Sequence, residues 1–374
     1  MQIIDGIPVW GLPVDEGALK QIKTCYYIFG NAAMMADHHK GYGVPIGGVI
    51  AHETLISPSG VGFDIGCGNK AVKTDLRIDN VIKDQWSKIM DDIWATISFG
   101  IGQKNGEKVD HAVLCSPVWN EVSTGVGTTA WKLSSLKDLA SQQLGTVGSG
   151  NHFVDILADE EGCIWIGVHF GSRGFGHKVA THFLQRAGGK DDMDSAPVTL
   201  RADSDEGGKY IAAMELAGAY ASAGRDWVCA RVLKLLGAKE IESIHNHHNY
   251  AWREQHGGRD LWVVRKGATP AFPGQRGFIG GSMGDQSVIV EGVEHSDSPA
   301  SFYSTVHGAG RVMGRAQAKG KVSKQGVVTR DPLVTLVMMQ KWLQESFGGV
   351  ILRGGGVDES PHCYKRLPEV LAQQ

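Results

Sequence analysis

Val72, Thr74 and Leu76 alternate with Lys73 and Asp75 at period two, which predicts a half-buried strand. The stretch around them, residues 41–75, reads as short β-runs broken by glycine: YGVPIGGVIAHETLIS, then GVGFDIGCGNKAVKTDL. GCIWIGVHF (Gly162–Phe170) predicts a strand that carries His169 near its end. Helical spacing takes over elsewhere. DNVIKDQWSKIMDDI (Asp79–Ile93) predicts a helix capped by Asp79. The longest helical pattern covers Lys209–Leu236, where Ile211, Met214, Ala217, Ala221, Val228, Val232 and Leu235 fall on one face and Gly237 is a natural stop. Gly218 and Gly224 inside it weigh against one unbroken helix. Asp331-Pro332 predicts a capped helix start, with the helix running to Phe347. Strands and helices are interspersed without a βαβ rhythm. The pattern therefore predicts an α+β fold, one large domain over residues 1–374 with mixed β-sheets surrounded by helices.

Composition narrows the class. The 374 residues are 42% hydrophobic, enough for a sizeable core. No stretch reaches the ~18 apolar residues that span a bilayer, and the N-terminus lacks the basic start and apolar run of a signal peptide. The cysteines lie far apart with no CxxC pair, and a chain with this much core has no need of a disulfide framework, so a reducing cytoplasm is expected. A net charge of −3 means that nucleic acid could be held only by a local basic patch. Lys319, Lys321 and Lys324, with Arg265 and Lys266, are the candidates for that patch; the same lysines also read as a solvated loop. Glycine is the outlier, with 51 residues against an average share of about 7%. The glycines are not periodic, so many should lie where backbone approaches a ligand.

The chemistry-bearing residues sit among those glycines. GVGFDIGCG (Gly60–Gly68) places Asp64 and Cys67 in one turn, either as a soft-metal pair or as a buried cysteine beside a turn aspartate. GSGNHF (Gly148–Phe153) offers Asn151 and His152, with Asp155 close behind. His169 is followed by GSRG, where Arg173 could fork onto a phosphate or make an ordinary surface ion pair. HNHHNY (His245–Tyr250) crowds three histidines; in a strand His245 and His247 share a face and His248 takes the other. His38 and His39 pose the same problem. His307 in HGAGR could attack an activated phosphate, with Arg311 and Arg315 to neutralise charge, or could simply begin a helix. Taken together, Asp64, Cys67, His152, His169 and His248 make a two-metal set with a cysteine able to bridge, suited to phosphoryl chemistry. The HExxH pattern common in zinc hydrolases is absent.

These segments resemble the RtcB family of RNA ligases. DHHKGYGVPIGGV (Asp37–Val49), the Asp64–Cys67 turn, GSGNHF, HFGSRG, HHNY, the RKGA run from Arg265, GSMG (Gly281–Gly284) and HGAGR occur in the family's order, from about residue 30 to the C-terminus. The resemblance implies an RtcB-like fold and an enzyme that uses Mn²⁺ and GTP. Such an enzyme links an RNA 3′-phosphate or 2′,3′-cyclic phosphate end to a 5′-hydroxyl end. It implies that Cys67 bridges two Mn²⁺ ions, with Asp64, His152, His169 and His248 completing the shell. His307 would take GMP from GTP. Asn151, Asp155, Ser282 and the Gly308, Ala309, Gly310 and Arg311 run would hold the nucleotide, and Arg173 would grip an RNA phosphate. The family usually has Glu where Asp155 stands, and a terminal Lys-Gly where this sequence reads DESPHCYKRLPEVLAQQ. RNA repair or tRNA splicing is the implied setting, with an activating protein as a further partner. The other readings are a metal-dependent cyclic phosphodiesterase or RNA end-binding protein that does not ligate, and a structural metal protein.

Overall fold

The computed structural model describes residues 1–82, 84–190, 192–322, 328–346 and 349–374. Ten of its strands build two sheets: β1 (Gln2–Ile4), β2 (Ile7–Val9), β3 (Ala32–His39), β4 (Ile46–His52), β5 (Gly68–Arg77), β6 (Phe153–Ala158), β7 (Cys163–Phe170), β8 (Glu240–His247), β9 (Asn249–His256) and β10 (Arg259–Lys266). The larger sheet runs β1-β2-β3-β4-β10-β9 and is mixed, because β2 and β3 are parallel while the other neighbours are antiparallel. The smaller runs β8-β5-β7-β6 and is wholly antiparallel. Only His248 separates β8 of the small sheet from β9 of the large one. The α+β expectation with mixed sheets holds.

Of the helices α1 (Glu16–Phe29), α2 (Gln85–Thr96), α3 (Arg173–Arg186) and α4 (Asp205–Leu236), α1 and α4 lie on the sheets, and α2 and α3 pack against α4. α1 lies on β3 and β4 and turns Ala18, Ile22, Cys25 and Phe29 inward. α4 lies on β5 and β7. Each fully buried Ile or Phe at these faces stabilises the fold by roughly 1.5–3 kcal/mol. The predicted strand around Val72 is β5, with Val72 and Thr74 buried and Asp75 exposed.

Three helix expectations shift. α4 is unbroken through Gly218 and Gly224, because tertiary packing needs both to be small. A Cβ at Gly218 would come 2.6 Å from the Tyr250 ring, and one at Gly224 3.2 Å from Phe170. The helix ends where expected, at Gly237 in the left-handed region (φ 64°). Asp79 caps nothing: it lies in a 3₁₀ turn, Ile78–Asn80, and α2 begins only at Gln85. The last predicted helix is Leu336–Glu345, capped by Thr335, whose side chain accepts from the Met338 N–H. Asp331-Pro332 does not open it, because Leu333 and Val334 donate their N–H groups to Gln317 and Ala318 and stay non-helical. The predicted end at Phe347 lies outside the described residues.

The basic-patch expectation needs correction at Arg265 and Lys266. As neighbours on β10 they leave opposite faces of the large sheet, and both are buried there. Arg265 is 0% exposed and makes paired hydrogen bonds to Glu254 (2.7 and 3.0 Å), with further bonds to Ser304 Oγ and the Phe302 carbonyl. Lys266 is also buried and donates to the Tyr42 and Ser59 carbonyls; burial pulls its pKa down to about 8. Lys319 is exposed but bound to Asp358 at 3.0 Å, Lys321 is exposed, and Lys324 lies outside the described residues.

Glu254→Ala leaves the Arg265 guanidinium buried without its carboxylate. It should cost about 3–5 kcal/mol in urea unfolding, and a loss below about 1 kcal/mol would show that the pair is not what holds β9 to β10.

Candidate metal centre and nucleophile

Strand register brings the metal-ligand candidates together. β7 pairs His169 with Asn69 of β5 on one side and with Phe153 of β6 on the other. The Asp64–Cys67 turn leads directly into β5, and His152 immediately precedes β6. Cys67 Sγ thus lies 3.6 Å from His169 Nε2 and 3.9 Å from His152 Nε2, while His152 Nε2 meets Asp64 Oδ2 at 3.0 Å. One ligand atom each from Cys67, His152 and His169 falls within 4.8 Å of the others. His248 joins through its ring, stacked 5.0 Å from that of His169, and its N–H donates to the Cys67 carbonyl.

Glycine makes the approach possible. A Cβ at Gly171 would sit 2.3 Å from Asp64 Oδ1, and one at Gly148 1.9 Å from the Arg173 guanidinium. The GSG and HFG segments therefore need glycine for space. Arg173 itself adopts φ 56°, unusual for a non-glycine residue, and brings its Nη1 to 3.2 Å from His152 Nδ1.

The donor set suits a metal. His169 gives its Nδ1 proton to Asn69 Oδ1 (2.6 Å) and His152 lies 2.9 Å from the Val147 carbonyl through Nδ1, so both rings turn Nε2 toward Cys67. Burial holds His169 and His248 well below the ordinary histidine pKa, hence neutral, which is the ligating state. His248 Nδ1 is buried with no hydrogen-bond partner among the described residues. Burial by itself would raise the Asp64 carboxyl, but the charge and hydrogen bond of His152 outweigh it and keep Asp64 ionised. Burial, then Asp64, push the Cys67 thiol far up. A bound cation would reverse that, since a coordinating thiol loses its proton.

A second acid and thiol cluster, Asp159, Glu161 and Cys163, differs in kind. Asp159 is already satisfied by the N–H groups of Glu161 and Cys163 and by Trp165 Nε1, so it shapes the β6–β7 turn.

His307 stands beside the first cluster, its ring 4.9 Å from that of His248. It follows the short strand Ser304–Val306, which pairs with Ala268–Pro270. Asp37, at 0% exposure on β3, places Oδ2 2.5 Å from His307 Nδ1 and also accepts from the His307 and Gly308 N–H groups. Burial would raise the Asp37 carboxyl; the His307 charge and hydrogen bonds outweigh it and hold it low. The His307 ring is thereby fixed through Nδ1, and Nε2 is left as the nucleophilic atom.

The remaining candidates are placed as follows. Asn151 Nδ2 is 3.4 Å from His169 Nε2, and Arg315 reaches Asn151 Oδ1 at 3.5 Å. Asp155 lies on the same side of β6 as Phe153, whose ring stacks on His169. Burial pushes its pKa up to about 7. Gly280, just before the GSMG run, bridges to Gly308, and Ser282 Oγ is buried without a partner among the described residues. Gly310 takes φ 75° and packs against the Asp37 backbone. Ala309 is buried, and the Arg311 guanidinium is occupied by Glu359, Tyr364 and the Asp358 carbonyl. Of the histidine run, His245 and His247 turn together toward Arg225, away from His248, as the alternation predicts. His38 accepts from the Asp15 N–H and stays out of the cluster.

Three residues were not singled out by the sequence: Asp37, Asn69 and Arg225. Asp37 lies in the DHHKGYG segment, where nothing local marks its pairing with His307 270 residues away.

The family described as tRNA-splicing ligase RtcB matches residues 18–374, beginning earlier than the motif-bearing stretch. The RNA-splicing ligase RtcB of Escherichia coli K12 is 32% identical over 98% of this chain and 93% of its own length. The tRNA-splicing ligases RtcB of Thermococcus kodakarensis and Archaeoglobus fulgidus are 34% and 31% identical, over 92% and 90% of this chain and 83% and 82% of theirs. With a family match over nearly its whole length, this chain belongs to the RtcB family.

Proposed function

We propose that the protein is an RNA ligase that uses GTP and Mn²⁺ to join RNA 3′-phosphate or 2′,3′-cyclic phosphate ends to 5′-hydroxyl ends, in RNA repair or tRNA splicing. The observation that carries this reading is the placement of His307, fixed through Nδ1 by Asp37, beside a cluster of one carboxylate, one thiol and three histidines, of which burial keeps His169 and His248 neutral. Asp64, Cys67, His152, His169 and His248 would hold two Mn²⁺ ions, which when bound neutralise phosphate charge and lower the pKa of the attacking hydroxyl. His307 Nε2 attacks the α-phosphorus of GTP; the N–P bond forms as pyrophosphate leaves. A cyclic end is first opened by water to a 3′-phosphate and a free 2′-hydroxyl; the guanylyl group then passes from His307 to an oxygen of the 3′-phosphate, regenerating His307. The 5′-hydroxyl attacks that activated phosphate, and GMP leaves with the bond electrons. Asn151, Asp155, Ser282 and the Gly308–Arg311 segment would hold the nucleotide, and Arg173 an RNA phosphate. The free cysteines suit a reducing cytoplasm, and an activating protein would be a further partner.

Incubation with GTP labelled at the α-phosphate and Mn²⁺ should leave an acid-labile GMP on the wild-type protein and none on His307→Ala. An unlabelled wild-type protein that still opens cyclic phosphates would instead support the non-ligating phosphodiesterase. Asp37→Asn should slow labelling by roughly 10²–10⁴-fold, because an amide no longer fixes the ring with Nε2 free. A rate within about threefold of wild type would remove Asp37 from the reaction.

Asp155 supplies a pH test. Its pKa rises from 3.8 to about 7 on burial, so between those values the folded chain holds a proton that the unfolded chain has lost. Stability should fall as pH rises through that window and level off above it. In metal-free protein the advantage of Asp155→Asn over wild type should grow from pH 4 to about 7 and then stay constant. Parallel unfolding curves at all pH values would contradict the burial of an ionisable Asp155.

A further inference from the structure

The deepest unexplained charge in the molecule is Arg225, on α4. It is 0% exposed. Among the described residues its guanidinium meets no carboxylate; its partners are neutral. Nη1 donates to the Gly66 carbonyl at 2.9 Å and to the Phe170 carbonyl, Nε donates to His245 Nε2 at 2.7 Å, and Nη2 lies 3.0 Å from His247 Nδ1. A buried cation without an anion carries a desolvation cost of several kcal/mol. An apolar side chain of the same length would fill the space without it, so packing alone does not account for an arginine here.

The identity of its acceptors does. Gly66 lies between Asp64 and Cys67, and Phe170 follows His169. One rigid guanidinium therefore ties the turn that carries two metal-ligand candidates to the strand end that carries a third. His247 Nδ1 lies 2.9 Å from the same Gly66 carbonyl; protonated it donates there, and unprotonated it accepts from Arg225 Nη2, so its tautomer decides which of the two it holds. Gly224, next to Arg225, lets α4 approach Phe170 closely enough for these bonds. The planar fork with its fixed donor directions suits this task, whereas a lysine ammonium could satisfy only part of it.

We propose that Arg225 is a positioning residue: by clamping the Gly66 and Phe170 carbonyls it sets the spacing between Cys67 and His169, and so the affinity of the site for its metal. The inference rests on the reading of Cys67 and His169 as metal ligands. Partners that orient ligands from behind typically carry 10–100-fold in metal affinity.

Cobalt(II) titration of the purified full chain, followed by the cobalt–thiolate absorption, tests it. Wild type should show the band and Cys67→Ala should lose it. Arg225→Lys should bind several-fold more weakly, and Arg225→Met about 10–100-fold more weakly, with circular dichroism unchanged. A folded Arg225→Met with wild-type affinity and band overturns the proposal while leaving the metal reading intact. A wild-type chain without the band, or a Cys67→Ala chain that keeps it, overturns the metal reading and Arg225's role with it. If Arg225→Met does not fold, Arg225→Lys decides, since it keeps the charge but loses the planar fork. A several-fold loss of cobalt affinity in that variant supports the clamp, and an unchanged affinity refutes it.

Discussion

The site depends on how the fold disposes of one proton on each of three imidazole rings. His169 gives its Nδ1 proton to Asn69, His152 faces the Val147 carbonyl through Nδ1, and His307 is held through Nδ1 by Asp37. Each acceptor is rigid: Asn69 and Asp37 are fully buried on strands, and Val147 is main chain. Fixing one nitrogen determines what the other can do. Two of the rings turn Nε2 toward Cys67, and the third is left with a nucleophilic nitrogen beside them. Were those tautomers free, the same side chains would be an ordinary polar cluster.

The two sheets make that arrangement by meeting at the site. The small sheet supplies His169 and, at the start of β5 and β6, the segments with Cys67 and His152. The large sheet supplies Asp37 at the end of β3. His248 sits at the crossing, on the one residue between β8 and β9, so its ring touches His169 on one side and His307 on the other. Glycine carries the close contacts, with Asp64 occupying the space a side chain at Gly171 would need. Gly148 and Gly171 thus lie where polar side chains converge.

What could be read from the chain was local. Period-two alternation located β5, strand GCIWIGVHF located β7, and the alternation of His245, His247 and His248 sorted the three rings to two sides. The ligand candidates were legible because glycine-set Asp, Cys and His are rare in ordinary sequence. What failed was non-local. RKGA looked like surface basicity, but pairing of Arg265 with Val49 and Tyr250 buries it in the large sheet. Asp37 acquires meaning only from a histidine 270 residues away, and Asn69 from one 100 residues away. Arg225 lies in a helical pattern whose spacing gives no sign that its partners are main-chain carbonyls. Helix starts failed for a related reason, since Leu333 and Val334 are held by hydrogen bonds to a remote segment.

The central claim is that metal binds among Asp64, Cys67, His152, His169 and His248. Anomalous diffraction at the manganese edge, from crystals grown with Mn²⁺, tests it directly. The account predicts the dominant peaks between Cys67 Sγ and the Nε2 atoms of His152 and His169. A dominant peak at the Asp159–Cys163 hairpin, or none near Cys67, would contradict it.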